Sequence, residues 1–170
     1  MTTSMTEQRA LRLRPVSDDD DAFLAELIRD LKAVELASSG MSGPELDELV
    51  DLQRQDEDRK HDNAHPKLER LVVVVEGESV GRLVLAETPT ALHVVDIAIL
   101  EAHRGRGIGT RLMLDVQACA AEVRLPVTLE VVKSNPALRL FERLGFTIVG
   151  DGLLHQTLSW TPAALTADAS

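Results

Sequence analysis

A glycine- and arginine-rich segment carries the clearest chemical signal in the sequence. Its residues are Arg104-Gly105-Arg106-Gly107-Ile108-Gly109, between an apolar run at 94–100 and an amphipathic helical pattern. A glycine-rich turn before a helix exposes backbone N–H groups, and the helix dipole adds positive potential at the same place. The arginines bring further positive charge. The segment therefore predicts a binding site for a phosphate or pyrophosphate group.

The elements that must position this turn follow from hydrophobic spacing. Residues 91–100 predict a strand before the turn, and residues 127–132 predict a second strand after an intervening helix. The helix should bury one apolar stripe, formed by Ile108, Leu112, Val116, Cys119 and Val123. A helical crossover of this kind joins parallel strands with a right-handed connection. Diverging parallel strands leave a crevice at their carboxyl ends, where α/β sheets bind ligands.

The rest of the chain alternates between helical and strand patterns. Helices are predicted over 17–34, from Pro44 to Pro66 and over 135–144; the other strands are 9–16, 68–76, 79–86, 146–149 and 153–160. No repeat or linker divides the chain. We expect a single domain over residues 1–160 and a disordered tail over residues 161–170.

Composition restricts the class of protein. The chain has 170 residues, 44% of them hydrophobic, and a formal net charge of −10. This charge argues against a nucleic-acid partner; it suits a cationic substrate but is also typical of an ordinary acidic surface. The sequence has no apolar run of membrane-spanning length, and its lone cysteine, Cys119, agrees with a reducing compartment. We expect a cytoplasmic protein with no membrane partner.

A dinucleotide-binding βαβ unit is the nearest alternative explanation of the glycine turn. Strand, turn, helix and strand follow in the required order, and Glu130 lies about where an acid would bind ribose. The glycine spacing does not match, because Gly105 and Gly107 would require a third glycine where Thr110 stands. The spacing therefore disfavours this interpretation.

Two motifs resemble those of the GNAT superfamily of N-acetyltransferases. Arg104-x-x-Gly107-x-Gly109 has the spacing of the family's pyrophosphate loop, (Gln/Arg)-x-x-Gly-x-(Gly/Ala). The segment Asn135–Phe146 resembles the second signature, Asn-x-Ala-x-x-Leu-Tyr-x-x-x-Gly-Phe. The order of elements from Leu11 to Trp160 is also similar. The resemblance implies an α/β (α+β) fold: a mixed, mostly antiparallel sheet of six to seven strands, flanked by helices, with one splayed parallel pair.

The resemblance also implies acetyl-CoA as cosubstrate and no metal. The backbone of Ile97, Ala98 and Ile99 would pair with the pantetheine arm. The loop would hold the pyrophosphate through Arg104, Gly105, Arg106, Gly107, Ile108, Gly109 and Thr110. Asn135 and Phe141 would also contact the cofactor, although asparagine before proline is equally a good helix N-cap.

The catalytic groups match the family less completely than the cofactor loop does. Phe141 stands where GNAT enzymes often have a tyrosine that protonates the departing thiolate, and the chain contains no tyrosine. Solvent, Ser134 or His155 could supply that proton. Asp96 occupies a position where relatives often have an acid, so it is a candidate base; a salt bridge or an exposed strand end would also explain it.

The resemblance implies an N-acetyltransferase that moves acetyl from acetyl-CoA to a primary amine by direct attack in a ternary complex. In the family the acceptor site is formed by the first two helices and the last hairpin, here about 30–65 and 150–155. A degenerate, non-catalytic acyl-CoA-binding module is the alternative, favoured by the missing tyrosine. The acceptor, the use of other acyl groups and homodimer formation are left open.

Overall fold

A computed structural model describes residues 10–167, which form one seven-stranded sheet flanked by helices. The strands are β1 (Leu11–Pro15), β2 (Leu68–Val75), β3 (Glu78–Glu87), β4 (Leu92–Ile99), β5 (Val127–Val132), β6 (Thr147–Asp151) and β7 (His155–Trp160). The helices are α1 (Asp21–Leu31), α2 (Ala33–Ser38), α3 (Gly43–Ala64), α4 (Ile108–Glu122), α5 (Leu138–Arg143) and α6 (Ala163–Ala167). The sheet order is β1-β2-β3-β4-β5-β7-β6.

The sheet pairing confirms the predicted fold class. Neighbouring strands are antiparallel except for β4 and β5, which are parallel and joined through α4. The apolar run Leu71–Val75 is buried throughout, as expected for a strand with both faces covered. The main core lies between the sheet and the helices α4 and α5, and a smaller core of Ile28, Leu36 and Val50 joins the first three helices.

The buried face of α4 differs from the predicted stripe. Cys119 and Val123 are exposed, whereas Met113, Gln117 and Ala120 are buried in their place. Gln117 is accommodated because its amide donates a hydrogen bond to the Leu144 carbonyl oxygen at 2.9 Å. Cys119 and Val123 instead line an open apolar groove of about 430 Å³ between α4 and the first four strands. The prediction was wrong here because residue type alone does not show which side of the helix is left uncovered by the rest of the fold.

Two further boundaries differ from the prediction. The first predicted helix is divided into a 3₁₀ turn at Asp18–Asp20, α1 and α2. The predicted disordered tail contains the short helix α6, in which the Thr166 hydroxyl donates a hydrogen bond to the Ala163 carbonyl oxygen at 2.8 Å. Residues 1–9 and 168–170, which belong to the predicted domain and tail, lie outside the described residues.

None of the described helices is both long and apolar enough to cross a membrane. The longest, α3, has 22 residues but a strongly charged sequence. Within residues 10–167, no group of three or more His, Cys, Asp or Glu side chains is placed to hold a metal ion.

Buried Asp20 joins the end of β1 to the start of the helical segment. Its carboxylate accepts hydrogen bonds from the Arg14 guanidinium at 2.6 and 2.8 Å and from the Ser17 N–H at 2.8 Å. The hydrogen bond from Arg14 is the main reason that the pKa of Asp20 lies far below its ordinary value of 3.8. A depressed folded-state pKa stabilises the fold above the unfolded-state value, and this contribution is lost as the pH falls toward the folded-state pKa.

We expect Asp20→Asn to lower the free energy of unfolding at neutral pH by about 1–2 kcal/mol, a modest value because half-exposed Arg14 is screened by solvent. Urea unfolding between about pH 3 and pH 7 should show this difference shrinking below about pH 4. Exposed Asp19→Asn is the matched control and should change little. A difference of constant size over the whole pH range would contradict the assignment.

Candidate functional site

The parallel strands β4 and β5 separate after a short paired segment. Residues Leu92–Val94 pair with Val127–Leu129, and no register pairs continue beyond them, although β4 runs on to Ile99. On its other side β4 pairs with β3 through a register shift, with Asp96 and Val94 opposite consecutive β3 residues. Val95 is therefore the extra residue of a β-bulge, which bends the strand. The result is a wedge between β4 and β5, as the resemblance implied.

Two cavities occupy this wedge and its mouth. The wider one, about 480 Å³, lies between the end of β4, the glycine-rich loop and α5. The second, about 270 Å³, lies nearer the vertex and is lined by both strands. Ile97, Ala137 and Phe141 line both cavities, so the two adjoin at these side chains. A long ligand could therefore reach from the loop to the vertex.

The glycine-rich loop has the backbone geometry that an anion site requires. Gly105 and Gly107 have left-handed φ angles of 70° and 78°, which glycine adopts at little cost. Gly107 is the N-cap of α4, and the first intrahelical bond runs from the Arg111 N–H to the Gly107 carbonyl oxygen at 3.0 Å. The N–H groups of residues 108–110 thus have no intrahelical partner and lie at the wider cavity. This arrangement can hold a phosphate or pyrophosphate.

The arginines near the loop serve different purposes. Arg104 lines the wider cavity, but its Nε donates a hydrogen bond to the Ile99 carbonyl oxygen at 2.9 Å. Its Nη2 lies 3.4 Å from Oδ2 of Asp30 on α1, and the same oxygen accepts the Glu101 N–H at 2.9 Å. Arg104 therefore fastens the loop to β4 and α1. Arg111 lies in the first turn of α4, and its Nε is 3.2 Å from Oδ1 of Asp115.

Neither Arg106 nor Arg143 forms an ion pair with any residue in the described part of the chain. Arg106 does not line the wider cavity, whereas Arg143 does. The sequence prediction missed Arg143 as a residue that lines this cavity. A signal was present, because Arg143 follows the cavity residue Leu140 by three positions and shares its face of the helix.

Asn135 and Phe141 lie where the second motif placed them relative to the wedge. Asn135 lines the narrower cavity, and its Oδ1 accepts the Ala137 N–H at 2.9 Å. This bond lies in the turn before α5, which begins at Leu138 with Ala137 as its N-cap, so the predicted N-cap role of Asn135 was wrong. Phe141 is buried and packs edge-on against Phe146, with ring centroids 5.8 Å apart. Of the substitutes considered for a tyrosine hydroxyl, His155 lines the narrower cavity and Ser134 lines neither cavity.

Asp96 lines the narrower cavity and is held by a buried arginine. Both Nε and Nη2 of Arg82 donate to its Oδ2, at 2.8 and 2.7 Å, and Glu57 on α3 lies 3.5 Å from the same guanidinium. Burial lowers the pKa of Arg82, but the carboxylates of Asp96 and Glu57 more than offset it, so that pKa lies above its ordinary value. The salt-bridge explanation of Asp96 agrees with this contact.

Glu130 is a second carboxylate in the narrower cavity. It directly follows Leu129, the last residue of β5 that pairs with β4, and it is exposed. Within the described chain its side chain forms no hydrogen bond or ion pair. The sequence analysis considered Glu130 only as a ribose ligand and missed this position. The alternation of side chains along β5 predicts that Glu130 lies on the face away from the core. Its location at the vertex depends on where the pairing between β4 and β5 ends.

His93 lies next to the vertex, in the segment of β4 that is still paired with β5. Its Nδ1 lies 2.8 Å from the Thr128 hydroxyl on β5, and its ring contacts His65 with centroids 5.2 Å apart. Burial is the largest cause that lowers the pKa of His93, followed by the neighbouring His65, while Glu130 raises it. The imidazole is therefore predominantly neutral at pH 7.

The family comparison extends over most of the chain. Residues 31–146 match the family model described as the Acetyltransferase (GNAT) family. A curated N-alpha-acetyltransferase of Sulfurisphaera tokodaii is 39% identical over 90 residues, which cover 44% of this chain and 54% of that protein. The chain thus spans about half the length of this curated relative.

Solved structures show the same fold. The PaiA N-acetyltransferase of Thermoplasma acidophilum, crystallised in complex with coenzyme A, superposes with a TM-score of 0.67 at 13% identity, over 89% of this chain and 99% of that chain. An acetyltransferase of Thermus thermophilus superposes with a TM-score of 0.64 at 26% identity, over 89% and 97%. The likeness to PaiA concerns the fold alone.

Proposed function

The chain belongs to the GNAT acetyltransferase family, and we propose that it is an acetyl-CoA-dependent acyltransferase that acetylates a primary amine by direct attack in a ternary complex. The observation that carries this proposal is the continuous wedge, which joins an anion site at the start of α4 to a carboxylate-lined vertex. The two ends suit the two substrates: a phosphorylated cosubstrate at the mouth and an amine at the vertex.

The wedge fits the extended shape of acetyl-CoA. The free N–H groups of residues 108–110 and the unpaired Arg143 suit the pyrophosphate. Past Val94, the β5-facing edge of β4 has no strand partner, so its backbone N–H and C=O groups are available to the amides of the pantetheine arm. The side chains of Ile97 and Ile99 provide an apolar wall beside that arm.

Attack on the thioester requires a neutral amine. We assign the proton acceptor to Glu130, because its carboxylate lies at the vertex without an ion-pair partner. Asp96, the base candidate from the sequence, is the weaker choice because its Oδ2 is already occupied by two contacts from Arg82. The amine nitrogen adds to the thioester carbonyl, forming the N–C bond and a tetrahedral oxyanion that backbone N–H groups of the splayed strand would hold. The oxyanion then collapses and the C–S bond breaks, and the remaining extra proton on nitrogen passes to the thiolate or to solvent. CoA leaves as a thiolate, which is tolerable near neutral pH.

The acceptor class is the finer part of the proposal. The curated relative is an N-alpha-acetyltransferase, which favours a peptide α-amine. The carboxylates of Asp96 and Glu130 at the vertex suit any cationic amine, including a small molecule. A panel of peptide α-amines, lysine ε-amines and polyamines separates these classes. Thiol release and the acetyl mass added to the acceptor are the measurements.

A non-catalytic acyl-CoA-binding module is the second candidate, and Phe141 is the observation that favours it. The proposed enzyme should show a rise in melting temperature with acetyl-CoA and with CoA, and thiol release with at least one amine. Binding of acetyl-CoA without turnover on any amine would establish the module. A melting-temperature shift with NAD alone would contradict both functions.

Phe141→Tyr places a hydroxyl at the junction of the two cavities, where it can protonate the leaving thiolate. We expect kcat to rise about tenfold with an unchanged KM for acetyl-CoA, less than the usual contribution of a general acid because the thiolate already leaves readily. Phe146→Tyr adds the same atom to the partner ring, which lines neither cavity, and should not accelerate the reaction. Steady-state kinetics that show no increase for Phe141→Tyr, at unchanged melting temperature, would contradict a role for a proton donor there.

A further inference from the structure

A chain of charged side chains links α3 to the vertex of the wedge. Glu57 on α3 contacts Arg82 on β3, and Arg82 contacts Asp96 on β4. The Arg82 side chain is only 4% exposed, whereas that of Asp96 is 27% exposed and lines the narrower cavity. Neither Arg82 nor Glu57 lines that cavity. Arg82 can therefore influence the reaction only through Asp96.

The hydrogen bonds fix Asp96 in one orientation. Both donors of Arg82 converge on Oδ2, and Oδ1 has no hydrogen-bond partner among the described residues. Two charge-assisted bonds from one guanidinium restrict the carboxylate strongly.

We infer that Arg82 is a positioning residue that holds Asp96 as a fixed anion, and that this anion binds the acceptor amine in its ammonium form beside Glu130. The inference rests on the proposed function and deepens it by adding Arg82 as a positioning residue behind the acceptor site. No additional reactant is needed, because the ammonium loses its proton to Glu130 after it has bound.

The charges around the vertex agree with a cationic acceptor. Asp96 on β4 contacts Arg82 on β3, and the Arg82 guanidinium also interacts electrostatically with Glu57 and Asp58 of α3. Glu130 from β5 and His155 from β7 line the same cavity. Arg82 and Lys32, whose Nζ lies 2.9 Å from Oε1 of Glu57, together offset Glu57 and Asp96, and Glu130 adds an uncompensated negative charge. The remaining negative potential attracts an ammonium group.

A double-mutant cycle tests the inference with the best acceptor of the amine panel. Asp96→Asn and Arg82→Gln should each raise the acceptor KM about tenfold, with the KM for acetyl-CoA unchanged. Because Arg82 acts through Asp96, the double variant should be no worse than Asp96→Asn alone. Arg82→Lys keeps a positive charge and should recover part of the loss; it carries the test if Arg82→Gln does not fold.

Arg70→Gln is the matched control. Arg70 lies on the neighbouring strand β2 and pairs with Asp58 and Asp62 of α3, but it lines neither cavity. Its replacement should leave the acceptor KM unchanged. Additive effects of Arg82→Gln and Asp96→Asn, or an Asp96→Asn variant that loses kcat and the acid limb of its pH profile, would overturn the inference. A wild-type protein that acetylates no amine would instead refute the proposed function itself.

Discussion

Gly107→Val should weaken CoA binding by about 100-fold, the largest loss of affinity that we expect from one substitution in this protein. Gly107 has a φ of 78° and is the N-cap of α4. A β-branched residue cannot hold that backbone conformation without strain, so the loop must change shape. The N–H groups of residues 108–110 would then no longer converge on one anion. Calorimetric titration with CoA measures the effect.

Gly77→Val separates lost binding from general backbone strain. Gly77 has a comparable φ of 84°, open space around it, and a position in the turn between β2 and β3. We expect this variant to lose stability but to keep its affinity for CoA. Equal losses of affinity in both variants would show that strain alone is responsible. Unchanged affinity in Gly107→Val would mean that the anion site is elsewhere.

Glu130→Gln should lower kcat by about 10²- to 10³-fold, which is the usual contribution of a positioned general base. The amide keeps the size of the side chain but cannot accept the proton of the attacking amine. The dissociation constant of acetyl-CoA should not change, because Glu130 does not line the wider cavity. Rapid-quench and steady-state kinetics over a range of pH measure the loss.

Asp96→Asn is the comparison that identifies the base. It removes the other vertex carboxylate, yet we expect its effect to fall on the acceptor KM and not on kcat. The acid limb of the pH profile should persist in Asp96→Asn and disappear in Glu130→Gln. The reverse pattern would assign the base to Asp96, as the sequence analysis first suggested.

Local patterns were enough to predict the frame of the wedge. The turn at 104–109 and the motif at 135–146 each combine glycine or proline with regularly spaced apolar residues, so both can be recognised in the sequence. The crossover between β4 and β5 follows from a chirality rule that holds for almost all such units. These features depend on residues close together in the chain.

The features of the site that could not be predicted depend on tertiary contacts. Arg104 meets Asp30, which is 74 positions away, so its role in fastening the loop has no local signature. Asp96 meets Arg82 only because a bulge at Val95 sets the register between β3 and β4. Glu130 lies at the vertex because strand pairing stops at Leu129. None of these contacts follows from hydrophobic periodicity.

The most direct test of the acetyl-CoA site is a crystal structure of the protein with acetyl-CoA bound. We predict the pyrophosphate against the N–H groups of residues 108–110, near Arg143. The pantetheine arm should lie between β4 and β5 alongside Ile97 and Ile99, with the thioester near Glu130. Acetyl-CoA bound outside the wedge, with no phosphate at the start of α4, would contradict the account.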